Sequence, residues 1–159
     1  MVELYEAMST LRAVRRLKPD AIPSDVLDRV LQAAAWAPTG GNVQPFRIVA
    51  VQSPDSMARL ESWYRQEWDR YTEGHRNALP KMPGPARAQT EKMLRAGDYL
   101  SRHLHEAPVM LVFCFNPANM AITDAGLDRP SVVGGGSVYT AVQNVMLACR
   151  AEGLGCVLT

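Results

Sequence analysis

The sequence predicts an α+β protein in three layers, with helices on both faces of a sheet. Three observations predict it. Helical apolar stripes alternate along the 159 residues with short runs rich in β-branched side chains. The two strongest runs, "FRIVAVQ" at 46–52 and "APVMLVFCF" at 107–115, read as buried strands, the second apolar enough to be covered on both faces. No linker divides the chain, so one domain over residues 1–159 is expected.

The elements follow in order. Leu4, Met8 and Leu11 lie at helical spacing within a helix over 2–12, after which "RRLKPDAIP" is extended and broken by two prolines. Ser24, behind Pro23, suits the N-cap of a second helix with Val26, Leu27, Val30, Leu31 and Ala34 on one stripe. Pro38 ends it, and the strand at 46–52 follows a glycine-rich loop. Ser53-Pro54 starts a third helix with Met57, Leu60, Tyr64 and Trp68 on its apolar face. Residues 74–87 carry three prolines and two glycines and read as a surface excursion or lid. Helix resumes over 88–105, then comes the strand at 107–115 and a second loose region over 116–136. A long helix begins at Ser137, with Val138, Ala141, Val142, Val145, Met146 and Cys149 on one stripe, and Gly153 stops it. "GCVLT" reads as a further strand.

Composition narrows the function classes. Hydrophobic residues make up 47% and charged residues 21%, with a net charge of +1, which gives no reason to expect nucleic acid or an anionic membrane as partner. No apolar run reaches the roughly 18 residues of a membrane helix, and the N-terminus lacks a signal-peptide pattern. Cys114, Cys149 and Cys156 form no Cys-x-x-Cys pair and sit among apolar neighbours, as reduced buried thiols in a cytoplasmic protein would. His75, His103 and His105 show no ligand spacing with cysteine, so no metal is expected. Trp36, Trp63 and Trp68 are read as packing residues.

Two stretches carry chemistry. Arg12, Arg15, Arg16 and Lys18 fall within seven residues. They either solvate and complement a helix end, or clamp a phosphate with bidentate guanidinium forks. The second stretch is "PTGGNVQPF", beginning at Pro38. Gly40 and Gly41 let backbone approach a flat ligand, and the amides of Asn42 and Gln44 both donate and accept. The plainer alternative is that these amides satisfy the loop's own backbone. Together the two stretches suggest a phosphorylated heteroaromatic cofactor. Neither matches a dinucleotide-binding or P-loop pattern.

"LRAVRRLKPDAIPSDVLDRVLQAAAWAPTGGNVQPFRIVAV" and the later "GGGSVYTAVQNVMLACRAEGLGCVLT" resemble the N-terminal half and the long central helix of the FMN-dependent nitroreductase family. The resemblance covers the chain apart from roughly 65–100. It implies a mixed, mainly antiparallel sheet flanked by helices, and a homodimer with the long helix at its interface and FMN bound between subunits. It further implies hydride transfer from NADH or NADPH to flavin and onward to nitroaromatics, quinones or similar small acceptors. Arg12 and Arg15 correspond to positions that meet the cofactor, with Ala13 where many members have serine, and Arg16 is an extra basic residue. Pro38, Thr39, Gly40 and Gly41 shape the loop, Asn42 and Gln44 touch the flavin, and Val157, Leu158 and Thr159 approach its ring. No residue of the chain is expected to do acid–base catalysis. Family members continue past the position of Thr159, so a truncated form with weak FMN binding is expected. Two other readings stand beside the enzyme: a non-catalytic FMN-binding or storage protein, and a cofactor-free dimerisation module.

Overall fold

The computed structural model describes residues 2–120, 122–131, 133 and 135–159. Seven main elements run in the order α1 (Leu4–Thr10), α2 (Ser24–Ala35), β1 (Phe46–Val51), α3 (Pro54–Ala78), α4 (Gly84–His103), β2 (Met110–Phe115) and α5 (Gly136–Ala151), with short 3-10 turns between them. The fold is α+β: helix-rich, with a small antiparallel sheet. β1 and β2 pair directly, and the Asn116 N–H just after β2 donates to the Pro45 carbonyl just before β1, as antiparallel neighbours must.

The chain divides into two compact units. The first comprises residues 1–13, 22–50 and 111–159. Its core is the face where α2 meets α5: Val30, Ala34, Ala37, Ala141, Val145 and Cys149 are buried together, with Phe46, Phe113, Leu154 and Cys156 packed against them. Ala34 and Ala141 have no exposed surface. Small residues at the crossing let two helix backbones approach closely, which is why the stripe read from Ser137 onward is built on alanine and valine. Val142 and Met146 of that stripe are only half-buried. α1 also packs on α5, and Arg150 ties them by donating from Nε to Thr10 Oγ1 at 2.9 Å.

The second unit comprises residues 14–21 and 51–110, and is built on the pairing of α3 with α4. Gly97 is where the two helices touch: the Trp68 ring occupies the space that a Cβ on Gly97 would fill. The Trp68 indole N–H donates to Asp98 Oδ1 at 2.8 Å, and Arg76 adds bonds to both oxygens of the same carboxylate. Thr72, fully buried, links the set by donating to the Trp68 carbonyl at 2.8 Å and accepting from Arg76 Nε at 3.2 Å.

Burial pushes the Asp98 pKa up, but the hydrogen bonds from Arg76 and Trp68 outweigh it and the net shift is downward. A carboxyl with a depressed folded pKa stabilises the fold above its unfolded value near 3.9 and loses that contribution as pH falls through the folded value. Asp98→Asn is therefore expected to cost about 1.5–3 kcal/mol at neutral pH. Its penalty shrinks in melts as pH falls below ~4 and on through the lower folded value, where the wild-type carboxyl also becomes neutral. A penalty unchanged from pH 7 to pH 3 would rule out the charged bonds as its source.

Several expectations are corrected. Residues 74–87 are not an excursion: α3 runs to Ala78 and α4 begins at Gly84. Pro80 and Pro85 sit in first-turn positions, where the missing N–H costs no helical bond. Ser24 is the first residue of α2, with no side-chain cap, whereas Ser53 does cap α3 by accepting from the Ser56 N–H. β2 is not covered on both faces, because the sheet has two strands among the described residues and leaves Cys114 and Phe115 exposed. The "GCVLT" segment makes a single parallel bridge, Cys156 to Ala13, and no longer ladder. Trp36 and Trp63 are exposed, so Trp68 alone of the three tryptophans packs between helices. Residues 116–136 form turns as expected, with Ala121, Val132 and Gly134 lying outside the described residues.

Candidate functional site

α2 stops at Ala35, and Ala37 still belongs to the core, so Pro38 leaves the core at a fixed point. Phe46 returns to the same core at the start of β1. The loop between is short and strained. Gly41, Asn42 and Gln44 all adopt left-handed backbone, with φ of 57°, 54° and 49°. Glycine takes this conformation freely and asparagine often, but glutamine seldom does without compensation.

The compensation is visible. Gly40 N–H donates to Ser137 Oγ at 3.1 Å, and Thr140 Oγ1 donates to the Pro38 carbonyl at 3.2 Å. Ser137 and Thr140 stand one turn apart on α5, so the first turn of that helix holds the loop from one side. Within the loop, Gln44 N–H donates to Thr39 Oγ1 at 3.1 Å, and Asn42 N–H to the Thr39 carbonyl at 3.0 Å. Backbone and hydroxyls thus satisfy the loop, not the two amides. Asn42 and Gln44 share one long contact, 3.5 Å from Gln44 Nε2 to Asn42 Oδ1, and both side chains are exposed. Among the described residues their remaining donors and acceptors have no partner and can meet a ligand edge.

Arg12 and Ala13 follow α1. Arg12 Nη1 donates to the carbonyls of Ser9 and Leu11 at 3.0 and 2.7 Å, capping the helix end. That is the structural role weighed above for the basic cluster. It leaves the Nε–Nη2 edge, the fork that matches a phosphate, without a protein partner among the described residues. Ala13 forms the bridge to Cys156. Val157, Leu158 and Thr159 therefore continue directly from the residue paired with the Arg12–Ala13 segment. Cys156 packs on the core that also receives Ala37 and Phe46, so this segment and both ends of the loop start from one cluster.

Arg15 and Arg16 belong to the second unit. Arg15 is half-buried and its charge acts on Tyr64; burial, the larger effect, raises the Tyr64 pKa and Arg15 opposes the rise. Arg16 lies over the Tyr99 ring at 3.9 Å, and Tyr99 stacks on His103 with centroids 4.1 Å apart. This face opens as a groove of about 310 Å³ lined by Arg16, Arg95, Asp98, Tyr99, Arg102 and His103.

Two of the three histidines, His103 and His105, are committed to carboxylates. His105 meets Glu61 through its backbone N–H at 3.0 Å and Nδ1 at 2.6 Å, and His103 Nδ1 lies 2.9 Å from Glu106. Burial raises the Glu61 pKa, yet the bonds from His105 prevail and the net shift is downward. No group of three or more His, Cys, Asp or Glu suited to a metal occurs among the described residues.

Sequence reasoning missed Ser137 and Thr140, which hold the loop, and the Ala13–Cys156 bridge, which brings two distant segments together. Hydroxyls three residues apart at a helix start were the available signal for the first. Nothing in the sequence marked the second. The donor set that results, a free guanidinium edge and two exposed amides on a rigid loop, suits a phosphorylated ligand with a hydrogen-bonding ring edge.

Comparison with known proteins identifies the family. Residues 10–159 match the model of the Nitroreductase family. The chain is 30% identical to iodotyrosine deiodinase 1 of Sus scrofa over 110 residues, 69% of this chain and 35% of that protein. It is 29% identical to an NADH dehydrogenase of Thermus thermophilus over 101 residues, 64% of this chain and 33% of that one. The chain thus spans about a third of the length of the curated relatives it matches. Among solved structures, an oxidised iodotyrosine deiodinase bound to FMN and 3-iodo-L-tyrosine superposes with a TM-score of 0.67 at 22% identity, covering 96% of this chain and 72% of that one. A nitroreductase with bound FMN from Bacteroides fragilis gives 0.62 at 19% identity, covering 96% and 67%. The family model covers residues 10–159, nearly the whole sequence: this chain belongs to the nitroreductase family.

Proposed function

We propose that the protein is an FMN-dependent oxidoreductase that takes electrons from NADH or NADPH and passes them to a nitroaromatic, quinone or similar small aromatic acceptor, and that it works as a homodimer. The observation that carries this reading is the Pro38–Gln44 loop. It is held in left-handed backbone by Ser137 and Thr140, with the Asn42 and Gln44 amides exposed and almost unused. FMN, when bound, supplies the hydride chemistry, and the protein supplies position and electrostatics. Arg12 would hold the phosphate through its free guanidinium edge. Asn42 and Gln44 would meet the pyrimidine edge, and the backbone of Val157, Leu158 and Thr159 would flank the ring. No helix among the described residues is long and apolar enough to cross a membrane.

A second acceptor class has its own support. Several of the curated relatives are iodotyrosine deiodinases, at up to 32% identity. Reductive removal of halide from a halogenated phenol is therefore proposed as the alternative reaction of the same site.

The test begins with an FMN titration followed by flavin fluorescence and thermal melting. Saturable binding with a raised melting temperature is expected. The loaded protein is then mixed anaerobically with NADPH or NADH, which should bleach the yellow flavin, and a nitroaromatic, a quinone or 3-iodotyrosine is added. Reoxidation by the first two supports the nitroreductase-type reaction, and iodide release supports dehalogenation. Stable FMN binding without bleaching by either nucleotide would leave a storage protein, and absence of binding would leave a cofactor-free module.

A further inference from the structure

Cys149 and Cys156 are seven residues apart but meet in the core of the first unit. The chain reverses between them: the Leu154 N–H donates back to the Cys149 carbonyl at 2.8 Å, and Gly153 supplies the turn with φ of 76°. Cys156 Sγ then comes to 3.9 Å from the carbonyl of Met146, three residues before Cys149. A helical carbonyl points toward the residues three and four positions on, so the Cys156 sulfur lies beside the Cys149 side chain. Both cysteines belong to the cluster around Ala141 and Val145. Cys149 is buried and Cys156 only half-buried, so one sulfur is shielded and the other reachable.

We propose that Cys149 and Cys156 are a dithiol that closes to a reversible intramolecular disulfide in response to peroxides. The more exposed Cys156 reacts first. Its sulfur attacks the peroxide, the O–O bond breaks, Cys156 becomes a sulfenic acid, and the peroxide is reduced to water. The Cys149 sulfur then attacks the Cys156 sulfur. The S–S bond forms, the S–O bond breaks, and hydroxide leaves with the Cys149 proton as a second water. Two thiols and one hydrogen peroxide thus give one disulfide and two waters. A thiol reductant reverses it by exchange.

The two sulfurs are also polarised in the required sense. The hydrogen bond between them pulls the Cys156 pKa down, favouring the thiolate that attacks peroxide. The same contact, and then burial, push Cys149 up and keep it a thiol until the sulfenic acid forms. Cys156 is bridged to Ala13, so the disulfide would tie the end of α5 covalently to the residue that is hydrogen-bonded to the segment beside Arg12. Cys114, on the exposed end of β2, lies outside this pair.

The experiment uses the Cys114→Ser chain treated with hydrogen peroxide. A mass loss of about 2 Da, reversed by dithiothreitol, is expected. Trypsin cuts after Arg150, so non-reducing digestion should leave the Cys149 peptide joined to the peptide of residues 151–159. The Cys149→Ala variant should instead accumulate the Cys156 sulfenic acid, a gain of about 16 Da that dimedone traps. Because the first readout uses both native cysteines, it stands even if that variant folds poorly. Advance of Cys156 to sulfinic acid beside a free Cys149 thiol, linkage only between separate chains, or two unreacted thiols would each overturn the proposal.

Discussion

Gly97→Val is expected to destabilise the second unit by about 2–3 kcal/mol, the range for forcing extra methyl groups into a packed crossing. A Cβ on Gly97 would lie 2.1 Å from the Trp68 ring, far inside contact distance. An exposed ring would swing away at little cost. This one is held by its indole N–H on Asp98, which Arg76 also grips, so relief of the clash breaks that set of bonds. A β-branched residue adds its own helix penalty. The comparison variant is Gly74→Ala in α3, where nothing lies within 4 Å of the added Cβ. It should stabilise by about 0.5–1 kcal/mol, because alanine loses less backbone entropy than glycine in a helix. Denaturant melts of the two variants should therefore move in opposite directions. Equal stability of Gly97→Val and wild type would show that Trp68 does not define the crossing.

Arg12→Ala is expected to weaken FMN binding by about 1.5–3 kcal/mol, the scale of a charge-assisted hydrogen bond. The free Nε–Nη2 edge is the proposed phosphate contact, so riboflavin, which lacks the phosphate, should lose much less. Titration of both ligands against both proteins makes the comparison. Equal weakening for FMN and riboflavin would assign Arg12 to the cap it makes on the Ser9 and Leu11 carbonyls, with its effect on ligand arising from a shifted α1. Since that cap also stabilises the fold, the melting temperature of the variant without ligand is measured alongside.

Local patterns located most elements. The periodicities of "SDVLDRVLQAAA" and "VYTAVQNVMLAC" identify α2 and α5 because each must bury one stripe against the other, and the structure packs them so. Ser53 before Pro54 marks the start of α3 for a purely local reason, a hydroxyl meeting an orphan N–H. The prolines of 74–87 misled for the opposite reason. A proline suits a first helical turn as well as a loop, and only the pairing of α3 with α4 determines which it occupies.

The sequence by itself determined the α+β class, the helical stripes, the strand at β1 and the residue types of the candidate site: arginine before a glycine-opened, amide-bearing loop. Those features depend on side-chain chemistry and on spacing within a few residues, which a sequence displays directly. Only the tertiary structure decided that Ser137 and Thr140 hold the loop, that Arg16 stacks on Tyr99, that β2 is open on one side, and that Cys156 lies beside both Ala13 and Cys149. Each is a meeting of residues brought together by burying apolar surface. The burial force is non-directional, so it leaves no mark in the sequence to say which pairs will meet.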